Sequence, residues 1–125
     1  MADELVLRVY HLTKRLPHDE RFGLRTQLRR AAVSVATNIV EGCARTSTRE
    51  YAHFLNIAFG SAAEAQYLLL LASRLQFVPE HDSQSLDAAY RELLAALQKR
   101  LQVVSQMPQG GERPTRRQDS AEPEP

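Results

Sequence analysis

Cysteine is nearly absent from this sequence, since Cys43 is the only one among 125 residues. A single cysteine cannot form a disulfide within the chain or supply a cysteine-cluster metal site. The histidines show no His-x-x-x-His spacing. The Glu50-x-x-His53 motif occurs once, whereas di-iron bundles carry it on two helices. We therefore expect no metal and no other cofactor.

The sequence also lacks an excess of charge of either sign and a long apolar run. Lys and Arg number 16 against 15 Asp and Glu, so the formal net charge is +1 and the whole chain has no strong field for a polyanion. No apolar run approaches the ~20 residues that a membrane span needs. The Met-Ala-Asp-Glu start lacks an apolar leader. We expect a cytoplasmic protein with no membrane partner.

What the sequence does contain is apolar residues at intervals of three and four over most of its length. This spacing predicts amphipathic helices, and no strand-like alternation interrupts it. Pro17 and Pro79 break the pattern, and Ser47-x-x-Glu50 is a capping box that marks a helix start. The connector 17–23 has room for one helical turn of its own. The predicted helices cover residues 3–14, 22–44, 48–76 and 80–105.

This order of elements predicts an all-α fold, an antiparallel up-down-up-down four-helix bundle with short connections. The bundle is expected to form one domain over residues 1–107. From Pro108 onward the sequence has almost no apolar side chain, so it cannot bury enough surface to offset the entropy of ordering. We therefore predict a disordered tail over residues 108–125.

Helix two is the most apolar around its circumference and is predicted to lie at the centre of the bundle. Apolar or small side chains occupy both of its sides, which is typical of a helix buried from several directions. We expect neighbours for it in its own chain and in another copy. In helix three, Gly60-Ser61 interrupts a favourable helical sequence, and a close helix contact is the expected compensation.

A basic ridge runs along the first half of helix two, where arginines recur at intervals of four. One interpretation is a surface that follows a phosphate backbone in a salt-dependent way. The other is a solvated face, or salt bridges between subunits with acids of helix four. No aromatic residue is interleaved with the ridge in sequence, which removes the stacking platform that single-strand binders use. The residues of the ridge are Arg21, Arg25, Arg29 and Arg30.

Three polar residues, Asn38, Glu41 and Glu64, lie among apolar neighbours of helices two and three. They are compatible with a polar contact site for RNA. They are also compatible with a buried hydrogen-bond network that fixes helix register, in which Glu41 bonds to backbone or to Arg45. We predict the second, a structural polar core. No catalytic constellation accompanies these carboxylates, so we predict neither an enzyme nor a small-molecule substrate.

Several motifs resemble a known bacterial family. They are Gln27-Leu28-Arg29-Arg30-Ala31-Ala32-Val33-Ser34, Asn38-Ile39-Val40-Glu41-Gly42 and Gly60-Ser61 followed by Glu64. With these motifs, residues 5–101 resemble the four helix bundle protein family, also called the 23S rRNA intervening-sequence protein family. The resemblance implies a homopentamer. It also implies a relation to the accessory variability proteins of diversity-generating retroelements, which bind a reverse transcriptase and RNA.

Two functions are therefore predicted. The first is a non-enzymatic oligomeric scaffold or accessory protein that binds a protein or nucleic-acid partner. The alternative is an RNA-binding accessory protein of a reverse transcriptase, of the retroelement type, that uses the basic ridge.

Overall fold

The computed structural model describes residues 1–20 and 23–108. Its four α-helices are α1 (Ala2–Thr13), α2 (Leu24–Cys43), α3 (Thr48–Arg74) and α4 (Glu80–Ser105), and a short 3-10 helix (His18–Glu20) follows α1. This described part contains no β-strand. The all-α four-helix bundle is confirmed, with each helix starting and ending within two residues of its predicted bounds. Residues 109–125 of the predicted tail lie outside the described residues, so the division at residue 107 stays a prediction.

The core lies between the helices and is built from the three-and-four pattern of each one. Leu28 and Val35 of α2 are fully or almost fully buried, and small side chains of α3 let that helix pack closely beside α2. Tyr90 of α4 is the largest fully buried side chain. The α3 residues without exposed surface are Ala58, Ala62, Ala65, Leu69 and Ala72.

The sequence predicts part of the hydrogen bonding at the turns between helices. The Ser47 hydroxyl accepts a hydrogen bond from the Glu50 amide over 3.2 Å, which confirms one half of the capping box. After α3, Gln76 adopts a left-handed backbone with φ of 63°. The Phe77 amide then donates to the Ala72 carbonyl over 3.0 Å, so α3 ends in a Schellman motif with glutamine where glycine is usual.

Helix α3 is long and apolar. By length and composition alone, Thr48–Arg74 could cross a membrane, and it is the one such helix in the described part of the chain. The sequence still has no uninterrupted apolar run of that length, because polar residues such as Asn56, Glu64 and Gln66 interrupt the stretch. A core helix passes the same test, but only 33% of the most apolar stretch of α3 is buried in this chain.

Candidate functional site

Two arginines of the basic ridge bind the end of α1. The Arg29 Nε donates to the Thr13 hydroxyl over 2.8 Å, and its Nη2 donates to the Tyr10 carbonyl over 3.2 Å. The Arg25 Nη2 donates to the Leu16 carbonyl over 3.3 Å. The Tyr10 carbonyl lies in the last turn of α1, where helical amides are lacking, and it also accepts from the Thr13 hydroxyl over 3.2 Å. The Leu16 carbonyl lies just beyond that helix. The two guanidinium groups therefore attach α2 to the last turn of α1 and to the segment that follows it.

The predicted ridge is therefore divided. Arg25 and Arg29 are half-buried against α1, whereas Arg30 is exposed. Arg21 lies outside the described residues. The acceptors of Arg25 and Arg29 are uncharged, and among the side chains of residues 1–19 and 23–108 neither they nor Arg30 form an ion pair with a carboxylate. Their positive charge is thus uncompensated within the described chain.

An aromatic ring lies beside this charge, although none is interleaved in the sequence. The Arg29 guanidinium carbon is 4.3 Å from the centroid of the Tyr10 ring, which is 39% exposed. The two residues border an open groove of about 460 Å³. Sequence reasoning missed Tyr10 because it belongs to another helix, where it follows the seam residue Val9. The groove is lined by Tyr10, Thr26, Arg29, Arg30, Val33, Ser34 and Thr37.

A short chain of hydrogen bonds joins α2 to α3. The Asn38 Nδ2 donates to the Ser34 carbonyl over 2.8 Å and lies 3.1 Å from the Ser34 hydroxyl oxygen. The Ser34 and Ser61 hydroxyl oxygens are 2.7 Å apart. These three side chains are half-buried. Asn38 therefore takes part in a helix–helix polar contact, as a structural role requires.

The two carboxylates lie outside this contact, which corrects the expectation of a buried polar core. Glu41 is exposed and forms an ion pair of 2.6 Å with Arg45, which lies four residues later, just beyond the end of α2. Glu64 is exposed on α3 and makes no ion pair with any described residue. Both side chains are exposed, so neither lies in a buried polar core, although Glu41 does pair with Arg45 as expected.

The close helix approach occurs at a different glycine from the one predicted. A Cβ added at Gly42 would lie 3.2 Å from the Phe54 Cβ, so α2 and α3 approach closely there. A Cβ added at Gly60 would meet nothing within 4 Å. Glycine in a helix interior costs about 1 kcal/mol relative to alanine, and no contact with residues 1–20 or 23–108 compensates that cost at Gly60. Its neighbour Ser61 does make the predicted helix contact.

A second open groove, of about 500 Å³, runs between α3 and α4. Its α3 wall carries Tyr67 and Leu70, which are 60% and 52% exposed. On the α4 wall, Asp87 accepts from Gln66 over 3.1 Å and pairs with Arg91 over 2.7 Å. Tyr67 and Leu70 therefore give α3 an exposed apolar surface where it faces this groove.

The core contains one perturbed titratable group. Burial raises the pKa of Tyr90 to about 12, and the positive charge of Arg8 partly opposes that rise. The Tyr90 hydroxyl has no hydrogen-bond partner among the described residues. Within the same residues, no group of three or more His, Cys, Asp or Glu side chains is placed to hold a metal ion.

Sequence comparison places these features in a family. The profile of the 23S rRNA-intervening sequence protein family matches residues 1–99. The chain belongs to this family. A crystal structure at 1.70 Å of a protein of unknown function from the S23 ribosomal protein family of Bacteroides thetaiotaomicron VPI-5482 shares the fold. Its TM-score is 0.75 at 26% identity, and the alignment covers 80% of this chain and 94% of that one. No curated protein matches the chain.

The motifs that carried the resemblance now have positions in this member of the 23S rRNA-intervening sequence protein family. Asn38, Gly42 and Ser61 lie where α2 meets α3. Arg30 and Glu64 lie on the outer surfaces of the same two helices. Of these five motif residues, three lie at the contact between the two helices and two are exposed.

Proposed function

We propose that this chain is a non-enzymatic scaffold or accessory protein that works as a homo-oligomer in the cytoplasm. The observation that carries the proposal is the outer side of α3, since only 33% of its most apolar stretch is buried within the chain. Ile57, Tyr67 and Leu70 are exposed there. Contiguous exposed apolar surface on a small protein usually marks an interaction site.

The inward side of α3 is already packed in the core, so only its outward side is available to a partner. A second copy is always present at the concentration of the protein itself, and most soluble oligomers are homo-oligomers. The resemblance described above makes five copies the expected number.

Light scattering after size exclusion tests the oligomer directly. We expect a mass of five times the 14.1 kDa chain over micromolar concentrations. Another multiple would correct the number and keep the scaffold. A strict monomer throughout that range would contradict the proposal.

A second candidate function is RNA binding as an accessory protein of a reverse transcriptase. The observation that favours it is the uncompensated charge of Arg25, Arg29 and Arg30 beside the exposed Tyr10 ring. Cations without carboxylate partners attract phosphate, and an aromatic ring next to them can stack a base. Tyr10, Arg29 and Arg30 border the open groove of about 460 Å³ described above.

The corresponding experiment is a titration with structured RNA at several salt concentrations. Arg30→Ala is the best variant, because Arg25 and Arg29 also hold α1. We expect log affinity to fall with log salt, and Arg30→Ala to weaken binding and reduce the slope by about 1.

Arg74→Ala is the matched control, since it removes an exposed arginine at the far end of α3. The oligomer mass of each variant is measured in the same buffer, so that dissociation of the oligomer is not mistaken for the loss of an RNA contact. Binding that ignores salt, or equal loss in both variants, would contradict this candidate.

A further inference from the structure

The outer side of α3 carries a second seam, in addition to the one that faces the core. Its residues recur at intervals of four and three, which is the spacing that helices use to pack against each other along their length. The stripe runs through the middle of α3 and is exposed except for its last member, which is half-buried. It consists of His53, Ile57, Gly60, Glu64, Tyr67 and Leu71.

The outer side of α2 carries a stripe of the same spacing. Val33 is 36% exposed and Val40 is 58% exposed, with Thr37 between them. Most of these side chains are short or β-branched, so another backbone can come close. The stripe consists of Thr26, Arg30, Val33, Thr37, Val40 and Ala44. Apart from Thr26 and Leu71, which are half-buried, the residues of both stripes are exposed.

Gly60 is the point of the α3 stripe that a partner helix would reach most closely. It is exposed in the middle of a long helix, where glycine weakens the helix, and a Cβ there would meet no described residue within 4 Å. The adjacent apolar residues Ile57 and Tyr67 are also exposed. The absence of a side chain is therefore useful only to something outside the chain that approaches the backbone.

The charges on the two stripes are complementary. Glu64 lies one turn after Gly60 and has no cation among the described residues, and Arg30 on α2 has no carboxylate. A charge that becomes buried at an interface needs a partner of the opposite sign. Each copy therefore carries the negative member of a potential ion pair on its α3 stripe and the positive member on its α2 stripe.

We propose that the α3 stripe of one copy packs against the α2 stripe of a second copy, with the closest approach at Gly60 and an ion pair between Glu64 and Arg30 of the second copy. The proposal rests on the oligomer proposed above and names its interface. Because two different surfaces meet, the contact is heterologous, and repetition of it closes a ring when the rotation allows.

Gly60→Gln tests the close approach. Glutamine is a good helix former and has open space within the chain, so the fold is expected to keep or gain stability. The side chain blocks the approach of a second helix, and we expect the mass to fall to that of smaller species at concentrations where the unchanged protein is fully assembled. The matched control is Ala88→Gln, which adds the same side chain at an exposed position of α4. Its mass is expected to stay unchanged.

Charge exchange tests the pair. Arg30→Glu and Glu64→Arg are each expected to raise the dissociation constant of the oligomer about tenfold or more, and the double exchange to restore it within about threefold. If the unchanged protein is monomeric, the proposed oligomer fails. If it is oligomeric but Gly60→Gln keeps the full mass, or the double exchange restores nothing, this interface is wrong and the oligomer stands. Far-ultraviolet circular dichroism of each variant shows whether it is folded.

Discussion

Replacement of Arg29 by alanine should detach the end of α1 from α2. The structure gives Arg29 a hydrogen bond of 2.8 Å to the Thr13 hydroxyl, one of 3.2 Å to the Tyr10 carbonyl, and a guanidinium that lies 4.3 Å from the Tyr10 ring centroid. A hydrogen bond from a charged group contributes about 1.5–3 kcal/mol, and an exposed cation–π contact about 0.5–1 kcal/mol. The Arg29 side chain is half-buried and the second bond is long, so the low ends of these ranges apply.

The expected loss is therefore about 2 kcal/mol in the free energy of unfolding, after the small gain in helix propensity from alanine. Urea denaturation followed by circular dichroism measures it, and the midpoint should fall by about 1 M. All variants are compared at one protein concentration, because assembly raises apparent stability. Arg29→Lys keeps the charge but cannot reproduce the planar fork, so it should recover less than half of the loss.

Arg49→Ala is the control for this prediction, because Arg49 is an exposed arginine of α3 for which the structure shows no contact. A change within about 0.5 kcal/mol is expected there. If Arg29→Ala costs no more than this control, the hydrogen bonds to α1 do not stabilise the fold. The basic ridge would then be a solvent-facing surface, as one of the two sequence interpretations holds.

Three further changes test other parts of the bundle. Tyr90→Phe should stabilise the protein by about 1 kcal/mol near pH 7, because it removes a buried hydroxyl without a partner among the described residues. The pKa of Tyr90 is raised from 10.0 to about 12, so the unfolded state loses the proton first. The free energy of unfolding, measured relative to that of Tyr90→Phe, should therefore be constant below pH 10. Between about pH 10 and 12 this difference should fall by at most about 3 kcal/mol. Gln76→Gly should raise the free energy of unfolding by about 0.5 kcal/mol or more, because φ of 63° suits glycine, and a loss would show that the glutamine side chain matters. Gly42→Val should cost about 2–3 kcal/mol, because its Cβ would lie 3.2 Å from the Phe54 Cβ, and a neutral result would mean that α2 and α3 can separate without cost.

The fold follows from the sequence because helix periodicity is a local property. Intervals of three and four identify the inward residues of each helix, and Pro17, Pro79 and the Ser47 cap mark where helices stop and start. Short connections then leave few arrangements. In α3, the exposed α3 stripe has the same spacing as the buried one, so periodicity alone does not show which of the two faces the core.

The site residues were harder to assign because their roles depend on what lies across a helix contact. Spacing placed Arg25 and Arg29 on one face of α2, but it could not show that the carbonyls of Leu16 and Tyr10 lie opposite them. It likewise could not bring Tyr10 to Arg29, or tell Gly42, which packs against Phe54, from Gly60, which faces open space. Glu41 was expected to be buried because its sequence neighbours are apolar, yet its own position on α2 points outward.

The attachment of α1 also bears on the order in which the bundle opens. This helix has 12 residues, and helices of about 12–15 residues or fewer are marginal on their own in water. Apart from its apolar seam, polar side chains at the surface hold it, among them the Arg15–Asp82 ion pair and the two arginines of α2. Helices α2 and α3 share close backbone contacts that α1 lacks. Amide hydrogen exchange should therefore be fastest in α1, so that the molecule loosens from its N-terminal end while α2 and α3 remain protected.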